Sequence, residues 1–159
     1  MRARTTAAVV LSLAALGAAA EAGDVAIIVH RNHPQDALTM AELSRIFRME
    51  QQHWKSGDRI DVVLQASGSE KDAIIQNRVM GLRAGELQSF WLGKTFRGEI
   101  TAAPRSLASD ASVKQVVGGN LHAVGYVDSL FLDDSVKAMK IDGKSPGEPG
   151  YVLSRTGGR

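Results

Sequence analysis

The chain has 159 residues, no cysteine and only 5% aromatic residues. The lack of cysteine excludes disulfide bonds, thiolate metal sites, thiol nucleophiles and lipid attachment through an N-terminal cysteine. The scarcity of aromatic residues requires a mostly aliphatic core. No apolar run beyond the first 22 residues reaches the roughly 20 residues that a membrane-spanning helix needs. We therefore expect no stable membrane anchor.

The sequence also lacks the motifs of common catalytic and cofactor sites. It contains no HExxH, no GxSxG, and no Walker or dinucleotide glycine pattern. The four histidines, His30, His33, His53 and His122, do not have the spacing of metal ligands. We therefore expect no catalytic residue, no metal and no cofactor, and a function other than that of an enzyme. A hydrolase has no supporting set of residues.

The N-terminus has the three-part layout of a secretory signal peptide. Arg2 and Arg4 precede a nearly continuous apolar run over residues 7–16, and small residues follow it. The alternative is an uncleaved membrane anchor, but the run is too short to cross the bilayer comfortably. We predict cleavage near Ala20 or Ala22 and a periplasmic location.

Residues 1–22 are thus predicted as the signal peptide, and residues 23–159 as a single domain with a loose C-terminal tail. Removal of the signal peptide takes away two cations and one acid, which lowers the formal net charge from +2 to +1. A near-neutral chain without a basic block lacks the electrostatic signature of nucleic-acid binding. No nucleic-acid partner is expected.

Predicted strands and helices alternate along the chain. Val25–Val29 is a continuous apolar run, which is typical of a buried strand of parallel type. Helices are predicted to begin at the capping boxes Thr39–Glu42 and Ser69–Asp72, the second overlapping with Ser67–Glu70. The other predicted segments are strands over 60–64, 123–127, 136–141 and 151–153 and helices over 84–92 and around 113–117. This order predicts an α/β fold with a mainly parallel sheet.

Ser67-Gly68-Ser69 lies between a predicted strand and the next helix. The first amides of a helix have no partner inside the helix, and its dipole is positive at that end. Such an end can hold an oxyanion. Every capped helix has the same groups, so simple helix capping remains the other interpretation.

Several motifs in this order resemble the periplasmic phosphate-binding proteins of ABC transporters, in their short PstS-like form. The resemblance runs from about Ala26 to Leu153. Ala123–Val127 matches the family strand "AIGYV", and Gly68-Ser69 matches the opening of a family helix. The other matching segments are Val29–Pro34, Leu38-Thr39, Glu42–Phe47, Trp54, Gly57, Ile60, Lys140–Gly143 and Tyr151–Leu153.

The resemblance implies a periplasmic-binding-protein-like (type II) three-layer lobe, truncated relative to a full two-lobed binder. It also implies a site in which helix-start amides and hydroxyls hold phosphate. The family pattern is Arg, two residues, Gly-Ser-Gly-Thr. Here Ser69 matches the family serine, while Gln65, Glu70 and Lys71 replace the arginine, the second glycine and the threonine.

The replacements change the electrostatics of the predicted site. Glutamine is neutral where arginine offers a charged fork. Glu70 would repel phosphate by about 3 kcal/mol at about 5 Å and an effective dielectric of 20. Lys71 could compensate if its side chain folds back. Arg31 and Asn32 follow the first strand and are expected to face the same crevice. The predicted oxyanion ligands are Ser67, Gly68, Ser69, Gln65, Lys71, Arg31 and Asn32.

Two functions from different classes follow. The first is a PstS-type periplasmic solute-binding protein that takes phosphate or another oxyanion for ABC-type uptake, with an ABC permease as partner. The second is a half-sized interaction or sensing module that has lost anion binding and docks on a sensor, an envelope complex or itself.

Overall fold

The computed structural model describes residues 22–155. The predicted signal peptide, apart from Ala22, and the last four residues lie outside this range. The strands are β1 (Val25–His30), β2 (Ala37–Leu38), β3 (Asp61–Gln65), β4 (Arg105–Leu107), β5 (Ala123–Asp128), β6 (Val136–Ala138) and β7 (Lys140–Ile141). The helices are α1 (Met40–Phe47), α2 (Glu70–Ile74), α3 (Leu87–Phe96) and α4 (Asp110–Gly118). A π-helical turn, Ile75–Val79, continues α2, and a 3-10 turn, Ser129–Phe131, follows β5.

Five strands form the central sheet in the order β4-β3-β5-β1-β6. The pairs β3–β4 and β3–β5 are parallel, whereas β1 is antiparallel to both β5 and β6. Four strands therefore run in one direction, and β1 alone runs in the other. The prediction of an α/β fold with a mainly parallel sheet is confirmed. The prediction that β1 is a parallel strand is wrong, because a continuous apolar run reports burial on both faces and not strand direction.

Helices cover both faces of the sheet and give three layers. Ala26 and Ile28 of β1 belong to the core on the side of α4, with Val113 and Val117. The alternate β1 residues Val25, Ile27 and Val29 belong to the larger core on the other side, to which α1, α2 and α3 contribute. The three-layer lobe predicted from the resemblance is therefore confirmed.

The predicted helix starts form in different ways. Thr39 and Glu42 make the complete capping box at the start of α1. At α2 the Ser69 hydroxyl accepts from the amide of Asp72, at 3.1 Å, but the Asp72 carboxylate is directed into the core. The overlapping box between Ser67 and Glu70 does not form, since Ser69 is the residue that caps α2.

Two predicted strands near the C-terminus differ from the structure. The segment 136–141 divides into β6 and β7, which belong to different sheets. Tyr151–Leu153 forms no strand but packs into the core, with Leu153 accepting a hydrogen bond from the amide of Val25 at 3.1 Å.

Gly125 in β5 is required by the close approach of α4. A Cβ atom at this position would lie 2.8 Å from Cγ1 of Val113 and 3.3 Å from Cγ2 of Val117. We expect Gly125→Ala to lower the free energy of unfolding by about 1–3 kcal/mol, since the helix must move. Urea unfolding measures this change.

Gly93→Ala is the matched control. Its Cβ would meet only the flexible tip of Arg97, at 3.1 Å, within α3. Alanine is preferred to glycine inside a helix by about 1 kcal/mol, so this variant should be as stable as the natural protein or more stable. Equal destabilisation by both substitutions would contradict the packing argument.

Candidate functional site

A cleft of about 960 Å³ opens beside the loop between β3 and α2. Residues 67–70 line its rim, and Asp72 and Gln76 of the following helical segment lie deeper. Trp91 of α3 and the segment 103–106 form further walls. The cleft therefore adjoins the end of the sheet at which β3, β4 and β5 finish, called here the carboxyl end.

The loop of residues 67–70, called here the rim loop, leads into α2 with unpaired backbone amides. Gly68 has a φ of +119°, which favours glycine, and the chain turns there before Ser69 caps α2. Within residues 22–155, the amides of Ser69, Glu70 and Lys71 donate no hydrogen bond. Ser69 and Glu70 also line the cleft. These N–H groups can therefore donate to a negatively charged or neutral acceptor at the rim.

The side chains of Gln65 and Lys71 do not lie at the rim. Both are buried, and both donate to the carboxylate of Asp110, the first residue of α4. The Oδ1 atom of Asp110 lies 2.9 Å from Nε2 of Gln65 and 2.6 Å from Nζ of Lys71. Lys71 is therefore committed to an internal ion pair, which differs from the expectation that it folds back toward an anion.

Asp110 joins the end of the sheet to α4. Besides Gln65 and Lys71, the amide of Asp128 donates to its Oδ1 atom at 2.9 Å. Burial by itself raises the pKa of Asp110, but the hydrogen bonds from Lys71, Asp128 and Gln65 outweigh it and hold the pKa below its usual range. The carboxylate is thus ionised at neutral pH and pairs with the lysine.

A second buried network fixes the floor of the cleft. Oδ1 of Asp72 accepts from the Tyr126 hydroxyl at 3.1 Å, and Oδ2 accepts from Nε2 of Gln76 at 2.6 Å. The same hydroxyl accepts from the amide of Gln65 at 3.0 Å. Burial and the neighbouring Asp72 carboxylate raise the pKa of Tyr126 above its ordinary value. The phenol therefore remains a hydrogen-bond donor, and Asp72 is held in place.

Arg31 and Asn32 lie at the opposite end of the sheet, which contradicts the expectation that they share the crevice. They follow β1, and the register pairs Val29 with Val124 at the start of β5 but Val25 with Asp128 at its end. Because β1 is antiparallel to β5, the residues after β1 lie far from the carboxyl end. Three of the seven predicted ligands, Ser67, Gly68 and Ser69, are brought together at the cleft.

Sequence reasoning missed Arg155. Its guanidinium lies 3.0 Å from a carboxylate oxygen of Asp128 and 3.9 Å from one of Glu70, and its side chain is only 14% exposed. Its Nε atom is buried without a hydrogen-bond partner among the described residues. Arg155 thus brings a positive charge next to the rim loop. No spacing or motif connects it to a loop more than 80 residues away.

Two further features are absent from the part of the chain that the structure describes. No group of three His, Cys, Asp or Glu residues between 22 and 155 could hold a metal ion. Over the same residues, none of the helices is long and apolar enough to cross a membrane.

No protein-family model matches the chain. Solved structures do. One is a protein from Clostridium perfringens assigned as a phosphate ABC transporter substrate-binding protein, solved with bound phosphate, which is 30% identical to this chain with a TM-score of 0.61. The match covers 76% of this chain and 46% of that protein.

Two further structures support the same fold. An ABC-type phosphate transport receptor from Vibrio cholerae is 24% identical, with a TM-score of 0.66, and the match covers 83% of this chain and 53% of the receptor. PstS from Borrelia burgdorferi is 14% identical, with a TM-score of 0.64, over 84% of this chain and 55% of PstS. This chain spans about half the length of the solved proteins that it matches.

The fold thus agrees with the family resemblance that the order of the sequence motifs suggested. The central sheet of this chain has one antiparallel strand among parallel ones. The chain superposes on the proteins from Clostridium perfringens and Vibrio cholerae over more than three quarters of its own length. The predicted resemblance is confirmed: this chain is a short PstS-like protein, with the fold of about half of a phosphate ABC transporter substrate-binding protein.

Proposed function

We propose that this protein is an exported, PstS-type solute-binding protein that holds phosphate or another small oxyanion at the rim loop of residues 67–70. The observation that carries the proposal is the set of unpaired amides at Ser69, Glu70 and Lys71, two of which belong to residues that line an open cleft. An ABC permease is the proposed partner, and the periplasm is the proposed location.

The chemistry of the rim supports an oxyanion with several acceptor atoms. Amides at the start of a helical segment donate along nearly parallel directions and carry positive partial charge. Ser67 adds an exposed hydroxyl to the same rim. Hydrogen bonds from such donors to a charged acceptor contribute about 1.5–3 kcal/mol each. Two or three of them contribute about 3–9 kcal/mol, which corresponds to millimolar to micromolar binding without a lysine ligand.

The charges near the rim set the strength of binding. Glu70 brings a negative charge to the anion, but its carboxylate also faces Arg155. The Arg155 guanidinium partly neutralises Glu70 and Asp128. It also supplies positive charge near the rim, where the neutral Gln65 stands in place of the arginine of the family motif. We therefore propose weaker binding than a site with the full family motif would give.

Isothermal titration of the purified protein with phosphate, sulfate and molybdate tests the proposal. We expect a saturable heat with at least one of these anions at micromolar to low millimolar concentration. Arg31→Gln serves as the matched control, because this exposed arginine lies at the opposite end of the sheet. The absence of binding to all three anions would contradict the proposal, and so would a complete loss of binding in Arg31→Gln.

A further inference from the structure

The cleft is much larger than an inorganic oxyanion. A water molecule occupies about 30 Å³, and a tetrahedral oxyanion of five heavy atoms is only a few times larger. The cleft of about 960 Å³ reaches the upper end of the range for pockets that bind organic molecules, about 300–1,000 Å³. An anion at the rim loop would therefore leave most of the cleft empty.

Beyond the rim, one side of the cleft is apolar, while its floor carries Asp72 and Gln76. Trp91, Leu87 and Leu82 line one side, and Pro104 lies in the segment that forms another. Trp91 is 7% exposed and Leu82 is 8% exposed, so the core holds both in place while they still form part of the wall. Such a surface favours an aromatic or aliphatic group over water.

The charged side chains that line the cleft limit what else the ligand can carry. They are the carboxylates of Glu70 and Asp72, since the cleft lining includes no lysine or arginine among residues 22–155. A second negative group on the ligand would thus meet no cation. Gln76 and Gln88 can instead meet hydroxyl or amide groups.

We infer that the physiological ligand is an organic oxyanion, such as a phosphate monoester, with its anionic group at the rim loop and a neutral body against Trp91. This inference rests on the proposed function and specifies its ligand class. The bound body removes apolar surface of Trp91 and the ligand from water. The protein therefore prefers the ester to inorganic phosphate.

Titration with phenyl phosphate and with inorganic phosphate tests the inference. We expect phenyl phosphate to bind about tenfold tighter or more, because the phenyl ring is buried against the apolar wall. Trp91→Ala should reduce this preference to about twofold or less, with inorganic phosphate titrated into the same variant as the reference.

Ala103→Trp gives a second variant that removes no core side chain. Ala103 is exposed and lines the cleft, so a bulky side chain there occupies part of the cleft volume that a phenyl group would otherwise enter. It should also weaken the preference. Trp54→Phe is the control, because Trp54 packs on His33 and donates to the carbonyl of His122 instead of lining the cleft.

The outcomes separate this inference from the proposed function. Equal affinity for the two ligands overturns the inference and leaves oxyanion binding intact. A preference that persists in both Trp91→Ala and Ala103→Trp also overturns it. Binding of neither ligand overturns the proposed function and the inference together.

Discussion

Lys71→Met is expected to lower the free energy of unfolding by about 3 kcal/mol, because it leaves the Asp110 carboxylate without its cation. The side chains of the pair are only 9% and 14% exposed, and Asp110 also accepts hydrogen bonds from Gln65 and from the amide of Asp128. Methionine keeps the length of the lysine stem and removes its charge. Urea unfolding at pH 7, followed by circular dichroism, measures the change.

Lys114→Met is the matched control for this substitution. Lys114 pairs with Asp133 at 2.6 Å, but Asp133 is half exposed and the pair lies at the surface. Surface pairs contribute little to stability, so the unfolding midpoint of this variant should remain close to that of the natural protein. Equal stability of Lys71→Met and Lys114→Met would show that the buried ion pair is not required.

The pH dependence gives a second measurement of the same pair. The pKa of Asp110 is lower in the folded protein than in the unfolded chain, where it lies near 3.9. Its stabilising contribution is therefore complete above about pH 5 and is lost as the pH falls through the folded-state pKa. The difference in stability between the natural protein and Lys71→Met should shrink below about pH 4, since protonation removes the unpaired charge in the variant.

The local patterns predicted most helices and strands because local physics decides them. Thr39 and Glu42 are three residues apart, so the spacing alone predicts the capping box that begins α1. The apolar run of β1 predicts a buried strand for the same reason. The direction of β1 depends on which strands lie beside it, and no local pattern carries that information.

The error in the direction of β1 carried over to the candidate site. With a parallel β1, Arg31 and Asn32 would lie at the carboxyl end of the sheet, near Ser69. The antiparallel register instead places them at the opposite end. The predicted direction of β1 therefore also determined whether the loop after β1 was expected to lie beside the loop before α2.

The roles of Lys71 and Arg155 could not be predicted, because their partners are distant in sequence. Lys71 pairs with Asp110 across 39 positions, and Arg155 reaches Asp128 and Glu70 from the C-terminal segment. The motif predicted the loop and its amides. It did not predict that the side chains of Gln65 and Lys71 would be buried against Asp110 instead of lying at the rim.

Glu70→Gln and Glu70→Pro are expected to change the affinity for phosphate in different ways, and the comparison isolates the backbone amide. Glu70→Gln removes the negative charge and keeps the N–H group, so binding should strengthen. Two charges at about 5 Å repel by about 3 kcal/mol at an effective dielectric of 20. The Glu70 side chain is 64% exposed and faces Arg155, so we expect a smaller effect, about tenfold in affinity.

Glu70→Pro removes the same charge and also the N–H group. Proline is well tolerated at the first position of a helix, and Ser69 already has the extended conformation that precedes proline, with φ −89° and ψ 155°. The fold should therefore persist, and circular dichroism can verify it. A hydrogen bond to a charged acceptor contributes about 1.5–3 kcal/mol, so Glu70→Pro should bind phosphate at least about tenfold more weakly than Glu70→Gln.

Asp36→Asn controls for the change in net charge. Asp36 is exposed and pairs with Lys137, whose strand β6 begins beside His30 at the end of the sheet opposite the rim loop. Its neutralisation should leave the affinity unchanged, because at physiological ionic strength charges are screened over about 8 Å. If Glu70→Pro and Glu70→Gln bind phosphate equally well, the Glu70 amide does not contact the anion. The binding site must then be sought elsewhere than at the start of α2.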